Sequence, residues 1–275
     1  MALKKVKAID GIPLHYARTQ AHPYGSRGIP VTFRMEKKFH ATLVTCIEEL
    51  FAACPLGKPE VITSAGTFVN KPGAHGRGTA IDIDAIFWKD FTLVTRSYPT
   101  NTELYLGVES FLRRHFGIVL NYVYNAAHED HWHVDNSVSV SFNKRSRSKV
   151  LYLQLTLKHL YGINVVIDGL FGPQTAGAYA DATARLGLTD SLNKANWLRY
   201  LDYTGRVAFG FFARQTTPAD LLDNIYALVE AQVPRSQTLT EAINTFRQHP
   251  DTVAWLADME SREDVLEEVI REVIS

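Results

Sequence analysis

Two short segments contain four of the chain's ten histidines, and acidic residues stand beside them in both. The first segment is residues 75–84, HGRGTAIDID, and the second is residues 127–135, AHEDHWHVD. Imidazole nitrogens and carboxylate oxygens are donors that suit Zn²⁺ and other first-row transition metals. Their concentration in two segments predicts a metal site.

The alternation of side chains along β-strands predicts how these donors meet. Residues 79–83 have the composition of a strand, in which Asp82 faces away from the apolar core. Along a second strand, His131 and His133 share one face. The glycines around His75 permit a turn that brings its imidazole back beside Asp82. Two histidines and one aspartate leave the fourth tetrahedral position open, as a catalytic zinc site requires.

The two motifs together resemble those of a group of zinc metallopeptidases. H-x-x-G-x-A-x-D at residues 75–82 and D-H-x-H at residues 130–133 are similar to motifs of lysostaphin, the D-alanyl-D-alanine carboxypeptidases and the hedgehog signalling domain. Residues 124–135 also resemble the extensin-like C-terminal domain of bacterial proteins. The resemblance implies an α+β domain of the LAS/hedgehog type, built on an antiparallel sheet.

The same resemblance implies a role for each residue of the site. His75, Asp82 and His133 are expected to bind Zn²⁺, Asp130 to act as general base, and His131 to stabilise the developing charge. An alternative register, with His131 as the ligand and His128 as its partner, stays open. The remaining histidines stand alone and are expected to be structural: His15, His22, His40, His115, His159 and His249.

A second resemblance covers about 40 to 45 residues beyond residue 150. Residues 168–175, DGLFGPQT, match the Asp-Gly-x-Phe-Gly-x-x-Thr core of the small three-helix peptidoglycan-binding module. This resemblance implies substrate binding by Asp168 and Phe171. Carboxypeptidases of the first group carry an arginine that holds the substrate's terminal carboxylate, but residues 64–68 contain none, so Arg77 is the candidate replacement.

Helical and strand periodicities place these motifs in two domains. Apolar residues recur at helical spacing in residues 34–53 and 101–116, and residues 61–66 and 118–124 are predicted strands. We therefore expect a zinc peptidase domain at residues 1–142 and a basic linker, NKRSRSK, at 143–149. An all-α peptidoglycan-binding domain with a helical extension is expected at 150–275. The two cysteines, Cys46 and Cys54, are expected to be buried thiols.

The predicted function is a zinc-dependent peptidoglycan hydrolase that cleaves an amide bond in the peptide stem or cross-link. The missing carboxylate-binding arginine favours an endopeptidase over a D,D-carboxypeptidase. A non-catalytic peptidoglycan-binding protein with a structural zinc site is the alternative. A metal-dependent nuclease is disfavoured because the net charge is zero, with 29 basic and 29 acidic residues.

The expected location follows from the predicted substrate. Residues 1–20 lack the apolar stretch of a secretory signal, so synthesis in the bacterial cytoplasm and action in the periplasm or cell wall are expected. A phage lysin or an injected antibacterial effector would be made in the cytoplasm and act in the periplasm or cell wall. An effector would have an immunity protein and secretion machinery as partners. No apolar run is long enough for membrane insertion.

Overall fold

A mixed β-sheet forms the centre of the structure, a computed structural model that describes residues 3–214. The strands are β1 (Leu3–Val6), β2 (Ala8–Ile9), β3 (Ile12–Tyr16), β4 (Ile29–Pro30), β5 (Phe33–Glu36), β6 (Val61–Gly66), β7 (Ala80–Phe87), β8 (Thr92–Val94), β9 (Ile118–Leu120) and β10 (Trp132–Asp135). The helices are α1 (Lys37–Ala53), α2 (Ala74–Arg77), α3 (Thr102–His115), α4 (Arg147–His159), α5 (Pro173–Arg185) and α6 (Lys194–Arg214).

The sheet has the order β2-β3-β6-β7-β10-β9, with β4 beside β3 and β8 beside β7. Strands β3 and β6 pair in parallel and the other neighbours are antiparallel. Strands β1 and β5 form a separate antiparallel ribbon. The general α+β class is therefore confirmed, with a mixed sheet in place of the expected antiparallel one.

Helices α1 and α3 cover the apolar side of the sheet, as their periodicity predicts. Phe39, Leu43, Ile47 and Leu50 of α1 are buried along one face. Glu36 caps this helix, because its carboxylate accepts a hydrogen bond from the backbone N–H of Phe39 at 2.8 Å. Both cysteines are buried free thiols, as expected.

The helical half shares its hydrophobic core with the sheet half. Helix α6 packs closely on α3, where Phe209 stacks on Phe111 at a ring-centroid distance of 5.6 Å. Gly107 permits this approach, since a Cβ atom there would lie 2.4 Å from the Phe209 ring. The described helices thus pack as a continuation of the sheet half's core.

The basic segment expected to link two domains is partly helical. Helix α4 begins at Arg147, and Ser148 and Lys149 are buried. The Lys149 ammonium donates to the backbone carbonyls of Ser139 and Ser141, each at 2.6 Å. Most of the predicted C-terminal extension lies outside the described residues. Among residues 3–214, no helix is both long and apolar enough to cross a membrane.

Candidate metal centre

Adjacent strands place two of the predicted ligands directly opposite each other. In the antiparallel pairing of β7 with β10, His133 is the partner of Asp82. His133 Nδ1 lies 2.8 Å from Asp82 Oδ1. The neighbours Ile81, Ile83 and Trp132 are buried on the opposite side, so the predicted alternation of faces is confirmed.

The third predicted ligand, His75, arrives from the short helix α2. His75 Nε2 lies 3.2 Å from Asp82 Oδ1 and 3.2 Å from His133 Nδ1. The turn that carries it needs two glycines. A Cβ atom on Gly76 would lie 1.6 Å from the Lys71 carbonyl oxygen, and Gly78 has a φ of +70°. One donor atom from each of the three ligands lies within 4.8 Å of the others. We call these three residues the metal cluster.

Hydrogen bonds outside the metal cluster determine which nitrogen of each imidazole faces it. His75 Nδ1 contacts the Thr67 carbonyl oxygen at 2.5 Å, and His133 Nε2 contacts an Asp135 carboxylate oxygen at 3.1 Å. Both partners are acceptors, so these nitrogens donate their hydrogens outward. When both imidazoles are neutral, the lone pairs of the other two nitrogens therefore converge on the Asp82 carboxylate. Three acceptors at such distances repel unless a cation or a proton lies between them, so the cluster fits a metal ion.

The charges around the cluster also indicate that it binds a cation. Burial alone would lower the pKa of His133, but hydrogen bonds to Asp135 and Asp82 outweigh it and raise that pKa to about 9. Burial also opposes ionisation of Asp82, yet its contacts with the imidazoles of His133 and His75 hold its pKa well below the usual range. The cluster thus attracts positive charge, which either a proton on His133 or a metal ion provides.

The predicted catalytic pair lies beside the cluster. His131 Nδ1 donates to Asp130 Oδ1 at 2.8 Å, while His131 Nε2 lies 3.7 Å from Asp82 Oδ1. Burial raises the pKa of Asp130, but hydrogen bonds from Arg18 and His131 bring it below its ordinary value. Asp130 is therefore an ionised carboxylate that orients His131 toward the cluster.

Arg18 is a component of the site that the sequence analysis did not identify. It follows strand β3, and its Nη1 donates to Asp130 at 2.8 Å. Its Nε and Nη2 donate to the two oxygens of Asp84, at 3.0 and 2.8 Å. The Asp84 side chain is completely buried, and that burial raises its pKa while Arg18 opposes the rise. No local motif signals this contact, because 66 positions separate Arg18 from Asp84.

His128, the centre of the alternative register, borders the site without belonging to the metal cluster. Its ring lies 5.2 Å from that of His131, and its Nδ1 contacts the Asn125 side chain at 2.6 Å. Burial, followed by the nearby His131 and His133, lowers the pKa of His128 to about 4. His128 therefore remains neutral at pH 7.

The three predicted substrate-binding residues have contacts outside the cluster. Arg77 is exposed at the end of α2. The Asp168 carboxylate accepts hydrogen bonds from Leu170 N and from the Gln154 amide, both at 2.8 Å, and so closes the turn before α5. The Phe171 ring packs edge-on against Phe142. The contacts of Asp168 thus stabilise this turn, and the ring of Phe171 packs it against Phe142.

Within residues 3–214, the isolated histidines do not join the metal cluster. His15, for example, contacts the Arg27 carbonyl oxygen at 2.8 Å, and His115 contacts Glu49 at 2.9 Å. His249 lies outside the described residues.

No family model matches this chain, and comparisons with curated proteins and with solved structures also gave no match.

Proposed function

We propose that this protein is a zinc-dependent hydrolase that cleaves an amide bond in the peptide stem or cross-link of peptidoglycan. The observation that carries the proposal is the convergence of two imidazole lone pairs and one carboxylate in the metal cluster, beside the ionised Asp130. Three protein ligands are the number found in catalytic zinc sites. The substrate class rests on the resemblance of the motifs.

His75, Asp82 and His133 would hold Zn²⁺, which would supply a Lewis acid for the scissile carbonyl and lower the pKa of a bound water. Asp130 accepts the proton of the attacking water at a carboxylate oxygen and delivers it to the leaving amine. His131 is held through Nδ1 by Asp130 and turns Nε2 toward the cluster. When Nε2 carries a proton, it stabilises the developing oxyanion.

The surroundings of Arg18 support an endopeptidase. Three of its five N–H groups are already used by Asp84 and Asp130. Arg18 therefore orients Asp130 and is poorly placed to bind a substrate's terminal carboxylate. An internal amide bond has no such carboxylate, and its cleavage does not need a free arginine. Action in the cell wall as a phage lysin or an injected effector is part of the proposal.

Mass spectrometry of muropeptides from purified sacculi tests the proposal directly. Wild-type protein with Zn²⁺ is expected to release new products, and the mass change identifies the bond. His133→Ala is expected to lose both metal and products. Asp130→Asn is expected to retain metal, measured by elemental analysis, and lose the products. Asp90→Asn, on an exposed turn, is the matched control with full activity.

Two outcomes would contradict the proposal in different ways. If the protein binds sacculi but leaves them intact with Zn²⁺, the non-catalytic wall-binding alternative replaces it. If free D-alanine is the only product, the activity is that of a carboxypeptidase and the endopeptidase assignment is wrong.

A further inference from the structure

Tyr24 contacts three residues that hold the proposed base, Asp130, in place. It is half-buried in the connection between β3 and β4, residues 17–28. The three residues each donate a hydrogen bond to Asp130 or to its neighbour Glu129: Arg18, Thr95 and Arg96. Tyr24 touches all three, either through its hydroxyl group or through the face of its ring.

The hydroxyl group of Tyr24 starts a chain of hydrogen bonds that ends on the backbone of Asp130. The backbone N–H of Arg96 donates to the Tyr24 hydroxyl oxygen at 3.0 Å. Thr95 Oγ1 donates to the carbonyl oxygens of Asp130 and Asp84, at 2.6 and 2.9 Å. Because a threonine hydroxyl has one hydrogen, Thr95 accepts the remaining hydrogen bond, from Tyr24 at 2.9 Å. Burial raises the pKa of Tyr24, so its hydroxyl keeps the hydrogen that it donates.

The ring of Tyr24 supports the side chains around Asp130. The guanidinium of Arg18 lies over this ring at 5.2 Å from the centroid, and that of Arg96 lies over it at 5.7 Å. Both distances allow a favourable cation–π interaction. Arg18 then donates to the Asp130 carboxylate at 2.8 Å, and Arg96 donates to Glu129 at 2.6 Å. Tyr24 therefore holds Asp130 at its backbone and at its carboxylate.

The turn that carries Asp130 depends on contacts of this kind. Residues 125–130 contain backbone hydrogen bonds of 3.0 and 3.4 Å, and the second is long for such a bond. Asp130 in turn fixes His131, whose Nδ1 lies 2.8 Å from its carboxylate. A displacement of roughly 1 Å at a reacting group can lower a rate about 100-fold. Small movements of this turn would therefore affect both proposed roles, that of the base and that of His131.

We propose that Tyr24 is a positioning residue for Asp130, acting through Thr95 and Arg18. Its contacts are with the residues behind the carboxylate, so it fixes the base without taking part in proton transfer. The effect on turnover rests on the proposed function. The effect on the placement of residues 125–130 does not.

Steady-state hydrolysis of a purified cross-linked muropeptide by the zinc-loaded protein tests the effect on turnover. Tyr24→Phe keeps the ring and removes the hydroxyl, and it is expected to lower kcat about tenfold because one buried hydrogen bond is lost. KM and bound Zn²⁺ are expected to stay unchanged, since no ligand is altered. Thr95→Val is expected to lower kcat by the same factor, whereas Thr95→Ser keeps the hydroxyl and restores it. Tyr24→Phe combined with Thr95→Val is expected to lower kcat no further than Thr95→Val alone.

Hydrogen exchange measured by mass spectrometry tests the placement without substrate or added metal. Peptides that cover residues 125–131 are expected to exchange about tenfold faster in Tyr24→Phe, because the turn then opens more readily. Peptides from α1 are expected to exchange as in the wild type. Tyr203→Phe is the matched control, since Tyr203 lies under Arg199 at 6.0 Å but its hydroxyl forms no hydrogen bond within residues 3–214. This control is expected to equal the wild type in both assays.

The proposal is overturned if Tyr24→Phe and Tyr203→Phe show the same exchange in residues 125–131, or the same kcat. Faster exchange spread equally over α1 would also overturn it, because Tyr24 would then have a general structural role. If the wild-type protein hydrolyses no muropeptide, the proposed function fails instead. The exchange measurement then decides alone whether Tyr24 holds the turn of Asp130.

Discussion

Replacing Arg18 by methionine tests the charge arrangement beneath the candidate site. The substitution keeps an unbranched apolar chain as far as the position of Nε and removes all three hydrogen bonds to Asp84 and Asp130. Asp84 has no exposed side-chain surface, Asp130 is 21% exposed, and Arg18 is 27% exposed. The cost therefore comes mainly from Asp84, which is left as an uncompensated buried charge.

The expected magnitude follows from that burial. Removing one partner of a fully buried ion pair costs about 3–5 kcal/mol. Because Arg18 is partly exposed, water can enter after its removal, and we expect a loss of about 3 kcal/mol in the free energy of unfolding. In urea, with a slope of about 3 kcal/mol per molar, the midpoint falls by about 1 M. Tryptophan fluorescence reports the transition, since Trp88, Trp132 and Trp197 are buried.

A double-mutant cycle shows whether the charge of Asp84 is the cause. Asp84→Asn removes that charge, so Arg18→Met with Asp84→Asn is expected to be no less stable than Arg18→Met alone. Arg96→Met is the matched control: Arg96 contacts Glu129 at 2.6 Å, but both side chains are more than half exposed. Its expected cost is below about 1 kcal/mol. Additive effects in the double mutant would refute this reasoning, as would equal losses in Arg18→Met and Arg96→Met.

Two further predictions concern the metal centre and the shared core. Asp135→Asn leaves every ligand in place but weakens the hydrogen bond that orients His133, so Zn²⁺ affinity is expected to fall about 10- to 100-fold in chelator competition; unchanged affinity would contradict the assigned imidazole orientation. Gly107→Val inserts atoms against α6 and is expected to cost about 1–3 kcal/mol. The unfolding midpoints measured by fluorescence and by far-UV circular dichroism should then fall together. Separate unfolding transitions would show that the two halves unfold independently.

The spacing of apolar residues predicted two helices and one strand of the structure. The helices near residues 37–53 and 102–115, and the strand that carries Asp82, lie where alternation and helical spacing placed them. The approach of His75 to the strand of Asp82 and to the segment of His131 and His133 was also predictable, because a glycine turn and two strands leave few ways to bury Ile81 and Ile83. The resemblance, and not the spacing, selected His133. These features follow from short stretches of chain.

Contacts between distant segments could not be predicted in this way. The parallel pairing of β3 with β6 cannot be recognised from the sequence of either strand. This pairing positions Arg18 at the site. The basic residues 143–149 have the composition of a linker, yet Lys149 is buried because two backbone carbonyls accept its hydrogens. Composition records average exposure, whereas burial of a single ammonium depends on partners supplied by the fold.

The choice between His131 and His133 as the ligand illustrates the same limit. The two histidines are two positions apart and share one face of the predicted strand. Spacing alone therefore does not show which of them binds the metal. The structure distinguishes them by their distance from Asp82 Oδ1, which is 2.8 Å for His133 Nδ1 and 3.7 Å for His131 Nε2. Asp135 occupies Nε2 of His133 and leaves Nδ1 to the cluster, whereas Asp130 occupies Nδ1 of His131 and directs Nε2 inward. The shorter distance groups His133 with His75 and Asp82 as the set that could bind a metal ion, and a role of His131 toward substrate remains part of the proposed function.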